Sequence, residues 1–328
     1  MKLLSGVGEL PDGVTKTVAT IGNFDGVHLG HQALIDSLLL QAQKLSLPSL
    51  VILFEPQPGE FFQGTDAPER LSSLREKLDI LASYGVDYVY CLRFGTCISQ
   101  MSAAEFATQY IFSRLRVGYL LIGDDFRFGY KRGGDTRLLQ EISQDYKATV
   151  SIFSDFVIDR TRVSSTVIRK VLNAGDLEKA QQLLGRPYSM CGRVVRGDGR
   201  GRTIGAPTAN LRLNRKSAAI EGVFCVKVKR EKGSVLSGVA NVGTRPTVDG
   251  KSKPIVEVHL FDFDASLYGE MLTVYFMDKL RDEKKFSSLD GLVEQINNDI
   301  NAAKKYFQDV LKNITDKSNK SWLNTKTH

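Results

Sequence analysis

Apolar residues in the first half of the chain come in short runs separated by longer amphipathic stretches. The runs at 17–21, 50–54, 88–92, 119–122 and 148–153 are of strand length and rich in β-branched and aromatic side chains. The stretches between them, 32–44, 71–84, 103–115 and 136–146, repeat apolar positions at helical spacing. This alternation predicts an α/β domain with a parallel sheet covered by helices, whose ligands sit beyond the C-terminal ends of the strands. Two short helices, 165–173 and 176–184, close the domain.

The pattern changes after Gly185-Arg186-Pro187. From 189 to 277 the chain shows short β-like runs at 191–195, 223–228, 236–242, 255–261 and 272–276, punctuated by glycines. Such spacing predicts a small β-barrel. Leu289, Leu292, Val293, Ile296, Ile300, Ala303 and Phe307 then form a stripe at helical spacing, a final helix with one apolar face. The expected organisation is an α/β domain over 1–185, a barrel domain with its C-terminal helix over 186–311, and a polar tail over 312–328.

Composition narrows the class of protein. With 328 residues and 42% hydrophobic content, the chain can build two cores. No run approaches the ~18 apolar residues of a membrane span, and the first six residues are too short an apolar stretch for a secretory signal. Cys91, Cys97, Cys191 and Cys225 show no Cys-x-x-Cys pairing, which suits small buried residues in a reducing cytoplasm. Charge is uneven: residues 1–186 carry 20 basic and 21 acidic side chains, the remainder 24 and 16. The basic half favours anionic small molecules. Its charges are scattered and do not interleave with aromatics, so neither nucleic acid nor a membrane is an expected partner.

The densest chemistry lies in Gly22-Asn23-Phe24-Asp25-Gly26-Val27-His28-Leu29-Gly30-His31, between a strand and a helix start. A helix N-terminus offers unpaired N–H groups and a positive dipole end to phosphate. His28 and His31 fall on one helical face, and Gly30 between them leaves room for close approach. A zinc site needs further Cys or His ligands, and His259 and His328 are remote in sequence. Gly123-Asp124-Asp125-Phe126-Arg127-Phe128-Gly129 follows another strand, and Ser164-Ser165-Thr166-Val167-Ile168-Arg169 opens a helix with hydroxyls, which by themselves read as a cap. In the second half, Gly197, Gly199, Gly201 and Gly205 precede Pro207-Thr208-Ala209-Asn210. Glycines at that density let backbone wrap a phosphate, although a hairpin loop explains them equally well. They do not form a Walker loop: Gly250-Lys251-Ser252 has Arg245 where its first glycine belongs.

Taken together, segments 22–31, 123–129 and 164–169 resemble the His-x-Gly-His nucleotidyltransferases. More specifically, they resemble the adenylyltransferase module of the bacterial bifunctional riboflavin kinase/FAD synthetase family. One departure stands out: the family's Thr-Phe-x-Pro-His-Pro is Leu53-Phe54-Glu55-Pro56-Gln57-Pro58 here, so Gln57 keeps hydrogen bonding but carries no charge. The second half resembles riboflavin kinase in its Gly-rich loop, Pro207–Asn210, Gly243-Thr244-Arg245-Pro246-Thr247, Val256-Glu257-Val258-His259, Leu267-Tyr268-Gly269 and the segment from Leu280 to Phe286.

The resemblance implies two ATP-dependent reactions, riboflavin to FMN in the second half and FMN to FAD with release of pyrophosphate in the first. It implies that His28 and His31 donate to phosphate oxygens, with Ser164, Ser165, Thr166 and Arg169 on the outer phosphates. Gly22, Phe24, Asp25, Gly26, Gly30, Gly123, Asp125 and Phe126 would shape the nucleotide pocket. In the kinase half Glu257 would be the general base, with His259 supporting it. Gly197, Gly199, Gly201, Gly205 and Pro207 would wrap nucleotide, Thr208 and Asn210 would ligate Mg²⁺, and Arg281 and Glu283 would hold flavin. Expected partners are ATP and flavins, with a homo-oligomer left open. The competing reading is a nucleotidyltransferase acting on a different phosphorylated acceptor.

Overall fold

The structure, a computed structural model, describes residues 1–323 apart from Val7, Glu9, Asp155, Asp159, Arg160, 198–205, Lys232, Ser234 and 247–251. Side chains are described for these residues other than Thr161, 245–246, 252–253 and 313–323. Gly199, Gly201 and Gly205 therefore lie outside the described residues. The chain divides into two compact units, residues 1–168 with 183–185, and residues 169–182 with 186–328.

The first unit is built on strands β1 (Lys2–Ser5), β2 (Thr17–Ile21), β3 (Ser49–Glu55), β4 (Tyr88–Arg93), β5 (Val117–Gly123) and β6 (Thr149–Phe153). They form one sheet in the order β1-β4-β3-β2-β5-β6, and every pairing is parallel. Chain order runs outward from β2 to β3 and β4, then crosses back to β5 on the other side of β2. That reversal opens a crevice at the C-terminal ends of β2 and β5, where open α/β sheets bind ligands. All five residues of β2 are buried, as a central parallel strand requires. One cluster gathers Ala19, Ile52, Leu120 and Phe106, and another gathers Val18, Val51, Ile35 and Leu38. The helix expected over 103–115 begins as an α-helix at Ala103–Phe106 and then widens over Ala107–Arg114, where the Leu115 N–H reaches the Tyr110 carbonyl. The wider turn keeps Ala107, Ile111 and Phe112 on the buried side.

A short antiparallel pair, β7 (Val157–Ile158) and β8 (Thr161–Arg162), follows β6. In the second unit, β9 (Ser189–Val195), β10 (Ala209–Leu213), β11 (Gly222–Arg230), β12 (Val235–Pro246), β13 (Ser252–Leu260) and β14 (Met271–Arg281) close a barrel in the order β10-β13-β12-β11-β14-β9. All six pairings are antiparallel. Leu211, Val242, Val256 and Val258 are buried inside. The outer face carries Val223, Cys225, Val239 and Phe261 against Ala303 and Phe307 of the helix Leu289–Leu323. Burying a side chain such as Phe307 contributes about 1.5–3 kcal/mol toward docking the helix on the barrel. Burial pushes the Cys225 thiol up to about 12, and all four cysteines are free. The helix runs on past 311 into the stretch expected as a polar tail, because residues 312–323 contain neither Gly nor Pro to stop it. Among the described residues no helix is long and apolar enough to cross a membrane.

Candidate active sites

After β2 the chain turns through Gly22–His28 and enters the helix Leu29–Leu45. The turn is strained: Phe24 and Val27 have φ of 47° and 39°, a region that β-branched Val27 strongly disfavours. Both side chains are almost fully buried, and that burial holds the turn. His28 caps the helix, its Nδ1 accepting the His31 N–H at 3.3 Å. An Nδ1 that accepts leaves the proton on Nε2, so the ring presents an oriented donor. The two imidazoles stack at 3.7 Å and 17°, and Phe24 packs against His31 at 4.9 Å. Gly30 is crowded by the protein itself: a Cβ there would stand 3.3 Å from the His28 ring and 3.4 Å from the Val163 carbonyl.

The turn is braced from beneath. The Asp25 carboxylate, 2% exposed, accepts the N–H groups of Leu71 at 3.2 Å and Ser72 at 3.1 Å. Gly26 N–H donates to Ser72 Oγ at 2.9 Å. Lys77, 1% exposed, donates from Nζ to the Asn23 carbonyl at 2.9 Å. Burial pulls the Lys77 ammonium below its ordinary value, against the opposing pull of Asp25. Nearby, buried Arg70 is clasped by Glu55 at 2.7 Å and by Glu60, and the two carboxylates hold its guanidinium above the ordinary value despite burial. Gln57 is 8% exposed, and its Nε2 meets no hydrogen-bond partner among the described residues. Asp25 is thus turned toward Leu71 and Ser72. Asp25→Ala leaves buried N–H groups unpaired and is expected to lower the stability of the first unit by about 1–3 kcal/mol. Denaturant unfolding of the variant against the parent measures this.

The other two motifs converge on the same place. Ser165 Oγ donates to the Asp25 carbonyl at 2.8 Å, which seats the start of the helix Ser165–Asn173 on the turn. Ser164 Oγ accepts the Val167 N–H at 3.4 Å, Thr166 is exposed, and Arg169 follows Ser165 by one turn of that helix. After β5, the Phe126 N–H bonds the Gly123 carbonyl at 3.3 Å, and Phe126 stacks on Phe128. Asp125 pairs with Arg162 at 2.7 Å, two exposed side chains whose bond contributes little to stability. Gly22, at the end of β2, donates to the Ile52 carbonyl at 3.1 Å.

On the barrel, register assembles a second constellation. Asn210 on β10 lies opposite Glu257 on β13, and Glu257 lies opposite Asn241 on β12. Asn241 in turn pairs with Val223 on β11, and Val223 with Arg281 on β14. Directly opposed residues share a face, so Asn210, Glu257, Asn241, Val223 and Arg281 form one row across five strands. The row lies on the outer, helix-bearing face. His259 bonds through Nδ1 to the Pro207 carbonyl at 2.9 Å, tying the Pro207–Asn210 turn to β13. Asn210 is 7% exposed, its amide packs against Gly197, and its Oδ1 has no hydrogen-bond partner among the described residues. Glu283 accepts from Asn241 Nδ2 at 3.0 Å. Arg281 is committed to Asp299 of the final helix, at 3.0 Å from Nε and 2.7 Å from Nη2. Sequence reasoning missed Lys77 and Asn241; neither belongs to a motif, and only burial and register single them out.

Comparison with known proteins finds a family match for each half of the chain. Residues 11–167 match the FAD synthetase family and residues 184–307 the riboflavin kinase family. The bifunctional riboflavin kinase/FMN adenylyltransferase of Haemophilus influenzae is 45% identical over 307 residues, covering 94% of this chain and 99% of the relative. That of Escherichia coli K12 is 45% identical over 308 residues, covering 94% and 98%. A crystal structure titled as a macrolide-efflux protein from Streptococcus pneumoniae superposes with a TM-score of 0.75 at 32% identity, covering 90% of this chain and 97% of that one.

Proposed function

We propose how the work is divided in a chain that belongs to the bifunctional riboflavin kinase/FMN adenylyltransferase family. The protein converts riboflavin to FMN and FMN to FAD, which retires the reading of an adenylyl transfer to some other acceptor. In our reading, the first unit holds ATP over the helix Leu29–Leu45. An FMN phosphate oxygen attacks the α-phosphorus and pyrophosphate departs. The nucleophile is already ionised, so rate comes from positioning and from stabilising developing charge. His28 Nε2–H and His31 donate to the phosphate oxygens, assisted by the helix N-terminus. Ser164, Ser165, Thr166 and Arg169 take the outer phosphates. Asp25 acts through the turn it braces, while Gly22, Phe24, Gly26, Gly30, Gly123, Asp125 and Phe126 shape the walls.

In the second unit Glu257 takes the proton of the riboflavin 5′-hydroxyl as the γ-phosphate of ATP is transferred. The observation that carries this is the cross-strand row, which sets Glu257 between Asn210 and Asn241. Thr208 and Asn210 suit Mg²⁺: both offer hard oxygens, and the buried Asn210 Oδ1 meets no partner among the described residues. Mg²⁺, when bound there, neutralises phosphate charge. Gly197 and Pro207 border the nucleotide, Glu283 faces the flavin, and Arg281 secures the final helix beside it. We place the enzyme in the cytoplasm, where ATP is supplied. Incubating the protein with riboflavin, ATP and Mg²⁺ should yield FMN first and FAD after it, followed by chromatography over time. FAD without an FMN phase, or no flavin phosphate at all, contradicts the scheme.

A further inference from the structure

Asn241 stands at the centre of the cross-strand row and belongs to none of the motifs that led to it. It is opposite Glu257 in the β12–β13 register. Its side chain is held in one orientation. Nδ2 donates to Glu283 Oε1 at 3.0 Å, and a carboxylate only accepts, so the nitrogen and oxygen of the amide are distinguished. The same carboxylate lies over Gly243, two residues along β12 on the same face, where a Cβ would overlap it. Asn241 Oδ1 is shielded from solvent and meets no hydrogen-bond donor among the described residues. Asn210 Oδ1, on the other flank of Glu257, is in the same condition. Glu257 is therefore bracketed by two asparagines, on strands about one spacing (~4.8 Å) to either side. Buried acceptors are rarely left without donors. If Asn210 is met on the phosphate side, Asn241 faces the acceptor side.

We propose that Asn241 is a specificity-determining residue of the kinase reaction. Its Oδ1 accepts a hydrogen bond from the 4′-hydroxyl of riboflavin, next to the 5′-hydroxyl whose proton Glu257 removes. Glu283, fixed over Gly243, keeps the Asn241 amide from rotating. This deepens the reading of Glu257 as general base and depends on it. A polyol chain carries adjacent hydroxyls at a separation that one strand spacing can span, so one side chain addresses each.

The test compares kcat/KM for riboflavin and for 4′-deoxyriboflavin in the parent, Asn241→Ala and Asn241→Ser. The ratio between two acceptors is independent of how much of a variant is folded. The parent should prefer riboflavin by about 10- to 100-fold. Asn241→Ala should bring the ratio close to one, mainly through riboflavin, while KM for ATP and adenylylation of supplied FMN stay unchanged. Asn241→Ser, which keeps a shorter acceptor, should fall between. The proposal is overturned if both acceptors slow equally in the alanine variant, if its ratio matches the parent, or if both variants lose all kinase activity while ATP still binds. Glu257→Gln, run in parallel, separates the two ideas: if it keeps full kinase activity, the site reading itself fails. If it is inactive and Asn241→Ala is unaltered, only the role of Asn241 fails.

Discussion

Glu257→Gln is expected to lower riboflavin phosphorylation by about 10²–10⁴-fold, the usual contribution of a positioned general base. That corresponds to roughly 3–5 kcal/mol of transition-state stabilisation. The substitution keeps shape and hydrogen bonding but removes the capacity to take a proton. It sits on β13 between Asn210 and Asn241, so the neighbours and the register are preserved. KM for ATP should change little, because the lost interaction belongs to the proton in flight. Adenylylation of added FMN should proceed at the parental rate, since Glu257 and the His28 turn belong to separate compact units. Measured separately with riboflavin and with FMN, the variant should form FAD only from FMN. Loss of both reactions in a folded protein would overturn the division of labour. An undiminished kinase would reduce Glu257 to a solvent-facing residue of an alternating strand.

The parts of the molecule that sequence made visible are those whose signal is local. The interior strands of the parallel sheet are continuous apolar runs, and β2 is found at the residues expected. The edge strand β1 was not visible: four residues with Lys2 and Ser5 exposed give neither length nor alternation, and only pairing with β4 makes them a strand. Strand β10 was hidden because Ala209-Asn210-Leu211-Arg212-Leu213 reads as the end of a Pro-Thr turn. Barrel closure against β9 and β13 settles it. The motif histidines were visible, but the state of the His28 ring was not, since it depends on Nδ1 accepting a specific N–H. Gly30 was expected to clear space for nucleotide; the His28 ring and the Val163 carbonyl already occupy that space. Lys77 looks like a solvent-facing lysine between Glu76 and Leu78, and its burial beneath Asn23 arises from contacts 54 positions apart. The same holds for Asp25 with Leu71 and Ser72, and for Arg281 with Asp299. Which partner a charged side chain finds is decided by the fold. So is the row that contains Glu257: a shift of one residue in register would have turned Asn241 to the other face.

His28→Asn separates two things that one side chain does in the first unit. As the residue that caps the helix Leu29–Leu45, His28 accepts the His31 N–H through Nδ1. Asn is among the best capping residues, and its amide oxygen can take over that bond. It cannot reach outward with an Nε2–H. We therefore expect His28→Asn to keep the stability of the first unit within a few tenths of a kcal/mol. FMN adenylylation should fall by about 10²–10³-fold, the loss typical of one oriented donor to developing oxyanion charge. His28→Ala removes the cap as well, and should show the same catalytic loss together with about 1 kcal/mol of destabilisation. Riboflavin phosphorylation should be untouched in both. Pyrophosphate release from FMN and ATP, read beside denaturant unfolding, distinguishes the cases. If His28→Asn adenylylates FMN as fast as the parent, the ring is a cap and nothing more, and the charge on the departing pyrophosphate must be met by His31, Arg169 and the helix N-terminus. If both variants are equally destabilised, Asn has not replaced Nδ1, and His31→Ala, which leaves the His28 ring in place, then becomes the cleaner measure of what one donor supplies.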